Sequence, residues 1–195
     1  MYSSDPHNGL ARIVEFKNMV YQLAVGGMRT IMDVVYNHVS SPAQFCFNKL
    51  MPRYFFRYDA NGELYNGSGC HNETRSEATM VRKYIVDSLC MWAKEYKIKG
   101  FRFDLMGLID WATMNEIKKA CSQIDPDIYL YGEGWTAAGY NGSNEGTGSA
   151  STGEVYQYCN NFDPVTGDDN TNMCYLGGFN DNGRDGIRGQ NSAWG

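Results

Sequence analysis

The stretch Gly100-Phe101-Arg102-Phe103-Asp104 decides the fold. Successive side chains of an extended strand point to opposite faces. Phe101 and Phe103 therefore share an apolar face suited to packing on a helix layer, while Arg102 and Asp104 share the other. Two further apolar runs carry an acid in the same way: Met32-Asp33-Val34-Val35-Tyr36-Asn37-His38 and Tyr129-Leu130-Tyr131-Gly132-Glu133-Gly134-Trp135. Three carboxylates at the ends of successive apolar runs, with helical patterns between them, predict a site assembled at the top of a parallel β/α array.

Working outward, Ile13, Phe16, Val20, Leu23 and Ala24 recur at helical spacing, and Gly26-Gly27 supplies a stop. A strand is predicted over 29–36. Residues 40–76 hold no long period, apart from a small hairpin over 57–65 with Asn61-Gly62 at its turn. So long a connection is usually functional. A second helix carries Val81, Ile85, Ser88, Leu89, Trp92 and Tyr96 on one face. A third opens on Asp110 as N-cap and is expected to bury Trp111, Met114, Ile117, Cys121 and Ile124 before Asp125-Pro126 ends it. A strand over 128–131 follows. Strands alternating with helices imply parallel β/α units. Residues 136–174 are rich in Gly, Ser and Asn and lose all period. A last short strand is predicted over 175–181, with a helix beginning at Arg184.

The chain has 195 residues, enough for one domain or a large part of one. A closed (β/α)8 barrel takes about 250 residues, and an open array exposes strand edges that closure removes. The fold expected is therefore α/β, a partial TIM (β/α)8 barrel, in a piece of a larger enzyme. The net charge of −5, with no Lys/Arg run, argues against nucleic acid as partner. No apolar stretch approaches the roughly 20 residues of a membrane span, and the polar start is no signal peptide. The six cysteines form no C-x-x-C pair, which speaks against zinc. Cys90 and Cys121 read as core thiols; whether Cys159 and Cys174 bridge is left open. Aromatics make up 14% of the chain, as in a carbohydrate cleft or an ordinary core, and composition does not separate the two.

The flanking residues give the acids distinct chemistry. Arg102, two residues from Asp104 on the same face, keeps that carboxylate ionised and oriented, as a nucleophile requires. Glu133 lies between two glycines and beside Trp135; an indole lowers the local polarity and favours a general acid. The blander readings are a structural Arg–Asp pair and a turn glutamate. Asp33 is expected to point inward with Ile31 and Val35, and His38 to reach the cleft from the loop beyond. Two carboxyl groups flanking a glycosidic bond are the minimum for its hydrolysis. A retaining mechanism needs them about 5–5.5 Å apart and passes through a covalent glycosyl–enzyme intermediate.

Asp33-Val34-Val35-Tyr36-Asn37-His38, Gly100-Phe101-Arg102-Phe103-Asp104 and Glu133 resemble the first three sequence signatures of the α-amylase superfamily. Four further stretches are similar to the pullulanase type I branch. They are Leu105-Met106-Gly107, Tyr131-Gly132-Glu133-Gly134-Trp135, the run from Asn66 to Thr74, and Phe179-Asn180-Asp181 ahead of Arg184-Asp185-Gly186-Ile187-Arg188-Gly189. The resemblance implies about strands 3 to 6 of the catalytic barrel over 1–195, with a loop insertion at 40–76 and an irregular insertion at 136–174. It implies Asp104 as nucleophile and Glu133 as general acid/base. It also implies substrate contacts from Asp33, Tyr36, His38, Arg102, Asn72, Glu73 and Trp135. The function implied is hydrolysis of α-1,6 links in pullulan or in branched α-glucans such as starch and glycogen. Two alternatives are an α-1,4-acting amylase or glucanotransferase, and a non-catalytic α-glucan-binding protein on the same fold. No cofactor is required by this reading; Asn37 matches a position that binds calcium in many amylases, so Ca2+ stays open. Secretion or surface attachment is what the resemblance implies for a full-length parent. The family's fourth signature, a His-Asp pair, is absent, so 195 residues alone are expected to be inactive. His71 stands where the family commonly has glycine.

Overall fold

The computed structural model describes residues 3–134, 176–179 and 181–189. Its elements are α1 (Gly9–Val25), β1 (Ile31–Val34), α2 (Cys46–Leu50), α3 (Thr79–Tyr96), β2 (Gly100–Phe103), α4 (Trp111–Ile124), β3 (Tyr129–Gly132), β4 (Gly177–Gly178) and α5 (Asp181–Arg188). The four strands form one parallel sheet in the order β1-β2-β3-β4.

Strand alternation separates the two faces of this sheet. Val34, Phe101, Phe103 and Leu130 are buried against the helices. Val81, Ile85 and Leu89 of α3, with Met114, Ile117 and Cys121 of α4, complete that core. Each such side chain contributes about 1.5–3 kcal/mol by leaving water. Ile31, Val35 and Tyr129 lie on the opposite face and are exposed.

The helix ends follow local chemistry. Asn8 caps α1 by accepting from the amides of Leu10 and Ala11. Asp110 caps α4 by accepting from Thr113 N, as its sequence position predicted. The hairpin turn is also present: Tyr58 bridges Leu64, Gly62 takes φ +84°, and Asp59 Oδ1 accepts from the amides of Asn61 and Glu63.

Several expectations are corrected. Of the apolar face predicted for the first helix, only Val20 is buried. Phe16 is half-buried against Trp92 and Tyr96, whereas Ile13 and Ala24 are exposed. Ile124, the last residue of α4, is exposed rather than buried. The 40–76 connection contains a helical turn, α2, that its sequence did not reveal. Phe45 and Phe47 flank or begin this turn and join Phe55, Phe56 and Tyr84 in an aromatic cluster. Cys121 is buried and Cys90 half-buried, both as free thiols; burial pushes Cys121 up to about 12. Cys159, Cys174 and the 136–174 insertion lie outside the described residues.

Candidate active site

The register places Asp33 beside Arg102, and Arg102 beside Tyr131, on the sheet face away from the helices. The Arg102 guanidinium is the hub of the site. Its Nη1 donates to Asp33 Oδ1 and to Asp104 Oδ1, each at 3.1 Å, and its Nη2 donates to Glu133 Oε1 at 2.5 Å. One cation thus gathers the three acids singled out in the sequence. Asp33 is 68% exposed, so its pair is a screened surface contact; Asp104 at 27% and Glu133 at 16% are better shielded. Burial works against the Arg102 charge. The bonds to Asp33 and Asp104 and the charge of Glu133 outweigh it and hold the guanidinium above its ordinary range.

The backbone fixes the acids beyond the strand ends. Asp104 N donates to Val34 O, Glu133 N to Phe103 O, and Gly107 N to Glu133 O. Leu105 sits in the left-handed region at φ 42°, ψ 46°, and its amide donates to Glu133 Oε2 at 2.9 Å. A left-handed residue with a side chain costs about 1–2 kcal/mol; here that conformation accompanies an amide aimed at the acid. Gly132 makes the approach of β3 to β2 feasible, because a Cβ there would lie 2.4 Å from Phe103 O.

Asn37 enters from the segment after β1. It is 2% exposed, and its Nδ2 donates to Asp104 O at 2.7 Å and Asp104 Oδ2 at 3.0 Å. Its Oδ1 lies 2.6 Å from His38 Nδ1. Asp104 is therefore held on Oδ1 by Arg102 and on Oδ2 by Asn37. Phe179 places its ring 5.6 Å from the Arg102 guanidinium and 6.1 Å from the ring of Tyr131, which in turn lies 5.2 Å from Tyr129. From sequence alone Phe179 has no role in the site, and Asn37 only that of a possible calcium position. The alternation of β3 carried the signal for Tyr131; nothing short of the fold brings Phe179 beside it.

Three expected substrate contacts are turned elsewhere. Tyr36 shares the strand parity of Val34, and its hydroxyl bonds Ser88 Oγ of α3 at 2.7 Å in the helix layer, where burial raises it to about 12. Asn72 is buried; its Oδ1 accepts from Val39 N and its Nδ2 donates to the carbonyls of Val39 and Cys70. It holds the loop that follows His38. Glu73 is wholly buried 3.5 Å from Arg57. Burial raises its carboxyl above the ordinary 4.5, against the opposing charge of Arg57. Arg57 also donates to Glu77, Ser76 and the carbonyl of Leu108, so Glu73 belongs to a buried network that shapes the loop from within. Trp135 lies outside the described residues. His71 has φ 60°, which explains why glycine suits its position.

A calcium site at Asn37 does not fit these residues. Its amide oxygen faces His38 and its amide nitrogen faces Asp104, and among the described residues no group of three or more His, Cys, Asp or Glu is placed to hold a metal ion. What the arrangement offers is two shielded carboxylates on one guanidinium, beside an exposed third acid and an aromatic rim.

No protein-family model matches the chain. It is 43% identical over 137 residues to the pullulanase of Bacillus subtilis (strain 168), covering 70% of this chain and 19% of that protein. To pullulanase 1, chloroplastic, of Arabidopsis thaliana it is 41% identical over 146 residues, 69% of this chain and 15% of the relative. The solved pullulanase type I from Bacillus subtilis str. 168, complexed with maltose, superposes with a TM-score of 0.81 at 35% identity, over 95% of this chain and 24% of the other. The Paenibacillus barengoltzii pullulanase complexed with maltohexaose and α-cyclodextrin gives 0.79 at 40% identity, over 94% and 26%. The chain is thus similar to pullulanases in sequence and in fold, and spans 15–26% of the length of these relatives.

Proposed function

We propose that these residues belong to a retaining, pullulanase-type glycoside hydrolase that cleaves α-1,6 links in pullulan or branched α-glucans. The four parallel strands and their helices are read as consecutive units, about strands 3 to 6, of a catalytic (β/α)8 barrel over 1–195. The carrying observation is that Arg102 holds Asp104 and Glu133 on one guanidinium, at the ends of adjacent parallel strands. The similarity to pullulanases, some solved with maltose or maltooligosaccharides, supports an α-glucan as substrate.

In the first step an Asp104 carboxylate oxygen attacks the anomeric carbon. The bond from that carbon to the glycosidic oxygen breaks, and Glu133 gives its proton to the departing oxygen. In the second step Glu133 takes a proton from water, whose oxygen displaces Asp104 and restores the anomeric configuration. Arg102 Nη2 and Leu105 N donate to the two oxygens of Glu133 and fix where its carboxyl group faces the substrate. Asp33 and His38 border the same face and contact the sugar; Tyr129, Tyr131 and Phe179 supply rings against its apolar faces.

The test uses the whole protein that carries these residues, acting on pullulan. Maltotriose as product, abolished by Asp104→Asn, is expected. Panose would assign an α-1,4 cut, and activity surviving in Asp104→Asn would overturn the assignment. The 195 residues alone are expected to give no measurable turnover.

A further inference from the structure

We infer that Asn37 is a positioning residue that couples the nucleophile to His38, in place of a calcium ligand. The inference rests on the reading of Asp104 as nucleophile. The network leaves one orientation for the Asn37 amide. Its nitrogen faces two acceptors, the carbonyl and Oδ2 of Asp104, which offer no hydrogen in the ionised form. The NH2 group must point there, and the amide oxygen must point to His38 Nδ1. That oxygen only accepts, so His38 Nδ1 carries the proton. Neutral His38 is thereby locked with Nε2 as a bare acceptor, available to a sugar hydroxyl. The Asn37 backbone carbonyl is also engaged, accepting from Thr74 N at 2.9 Å. Asn37 is 2% exposed, and both its oxygens are buried and already engaged, which disfavours their use by a cation.

Two consequences follow for the chemistry. Asp104 is gripped at both carboxylate oxygens, by Arg102 and by Asn37, so its approach to the anomeric carbon is fixed before substrate arrives. The residue that fixes it also sets which nitrogen His38 presents, so the nucleophile and a sugar-contacting group are aligned by one amide.

The experiment compares Asn37→Ala and Asn37→Asp with the unsubstituted whole protein on pullulan, with and without EDTA and added calcium. Asn37→Ala is expected to lower kcat about 100-fold, as for the loss of one preorganised donor, with KM changed less than about threefold. Asn37→Asp is expected to lose more, since its carboxylate faces that of Asp104, and EDTA is expected to leave the unsubstituted protein unaffected. Inactivation by EDTA, or an Asn37→Asp variant that calcium restores, would overturn the inference in favour of a metal ligand. Unchanged kcat in Asn37→Ala while Asp104→Asn is inactive would overturn the inference alone. Activity retained by Asp104→Asn would overturn the nucleophile reading and this inference with it. Should the variants fail to fold, imidazole 15N shifts of the unsubstituted whole protein decide. A proton on His38 Nδ1 supports the coupling, and a proton on Nε2 alone refutes it.

Discussion

Replacing Arg102 with leucine tests the hub of the site without any need for turnover. The guanidinium pairs with Asp33, Asp104 and Glu133 at 3.1, 3.1 and 2.5 Å. The Asp33 pair is largely solvated and is worth at most about 1 kcal/mol. Asp104 and Glu133 are more than two-thirds shielded, between the surface case of about 0–1 kcal/mol and the 3–5 kcal/mol cost of breaking a buried pair. About 1–2 kcal/mol for each, with up to about 1 kcal/mol from Asp33, brings the total to about 2–5 kcal/mol. The leucine also leaves three carboxylates converging without a counter-charge. In urea unfolding at pH 7, with a slope of roughly 2 kcal/mol per M, the midpoint should fall by about 1–2.5 M. The same substitution made in an Asp104→Asn, Glu133→Gln background should cost under about 1 kcal/mol, because the repulsion has been removed. An equal loss in both backgrounds would show that Arg102 acts through its aliphatic stem and not as the cation that gathers the acids.

Removing Arg57, buried between Glu73 and Glu77, should be the costlier substitution: Arg57→Met leaves two buried acids and is expected to lose about 3–5 kcal/mol in the same assay. Glu73→Gln should alter the pH dependence in a definite direction. The folded carboxyl titrates above its ordinary 4.5, chiefly through burial, so the folded state binds the extra proton. The contribution of Glu73 is fully present below that value and is lost as pH rises through the folded one. The unfolding midpoint of the unsubstituted chain minus that of Glu73→Gln should therefore fall from pH 4 to pH 7, and a rise would contradict the burial argument. At Leu105 the ordinary ranking of truncations should invert. Leu105→Gly relieves the left-handed backbone at φ 42° and is expected to cost less than Leu105→Ala, which keeps the strain.

The strand order and the grouping of acids were legible because they depend on short-range rules. In Gly100-Phe101-Arg102-Phe103-Asp104, alternation alone assigns Phe101 and Phe103 to the core and Arg102 to the opposite face, and both phenylalanines are fully buried. Asp110 signalled its cap and Asn61-Gly62 its turn for the same reason. What stayed hidden depends on contacts distant in sequence. Tyr36 lies three residues from Asp33, yet strand parity sends it to Ser88 on a helix 52 positions later. Asn72 and Glu73 occupy a loop that looks like a cleft wall, but their side chains are drawn inward, to the backbone of residues 39 and 70 and to Arg57. Asn37 reads from its motif as a metal position, and only the approach of Asp104, 67 positions away, gives its amide another partner. The exposed apolar side of the first helix illustrates a further limit, since periodicity identifies a helix face but not what covers it.

The central claim is that Asp104 attacks the anomeric carbon while Glu133 serves the leaving oxygen. Its most direct test is to trap the covalent intermediate with a 5-fluoro-maltosyl fluoride in the whole protein, followed by peptide mass spectrometry. The expected product is one fluoro-maltosyl unit on the Asp104 carboxylate, absent in Asp104→Asn. A label on another residue, or a labelled Asp104→Asn variant, would contradict it.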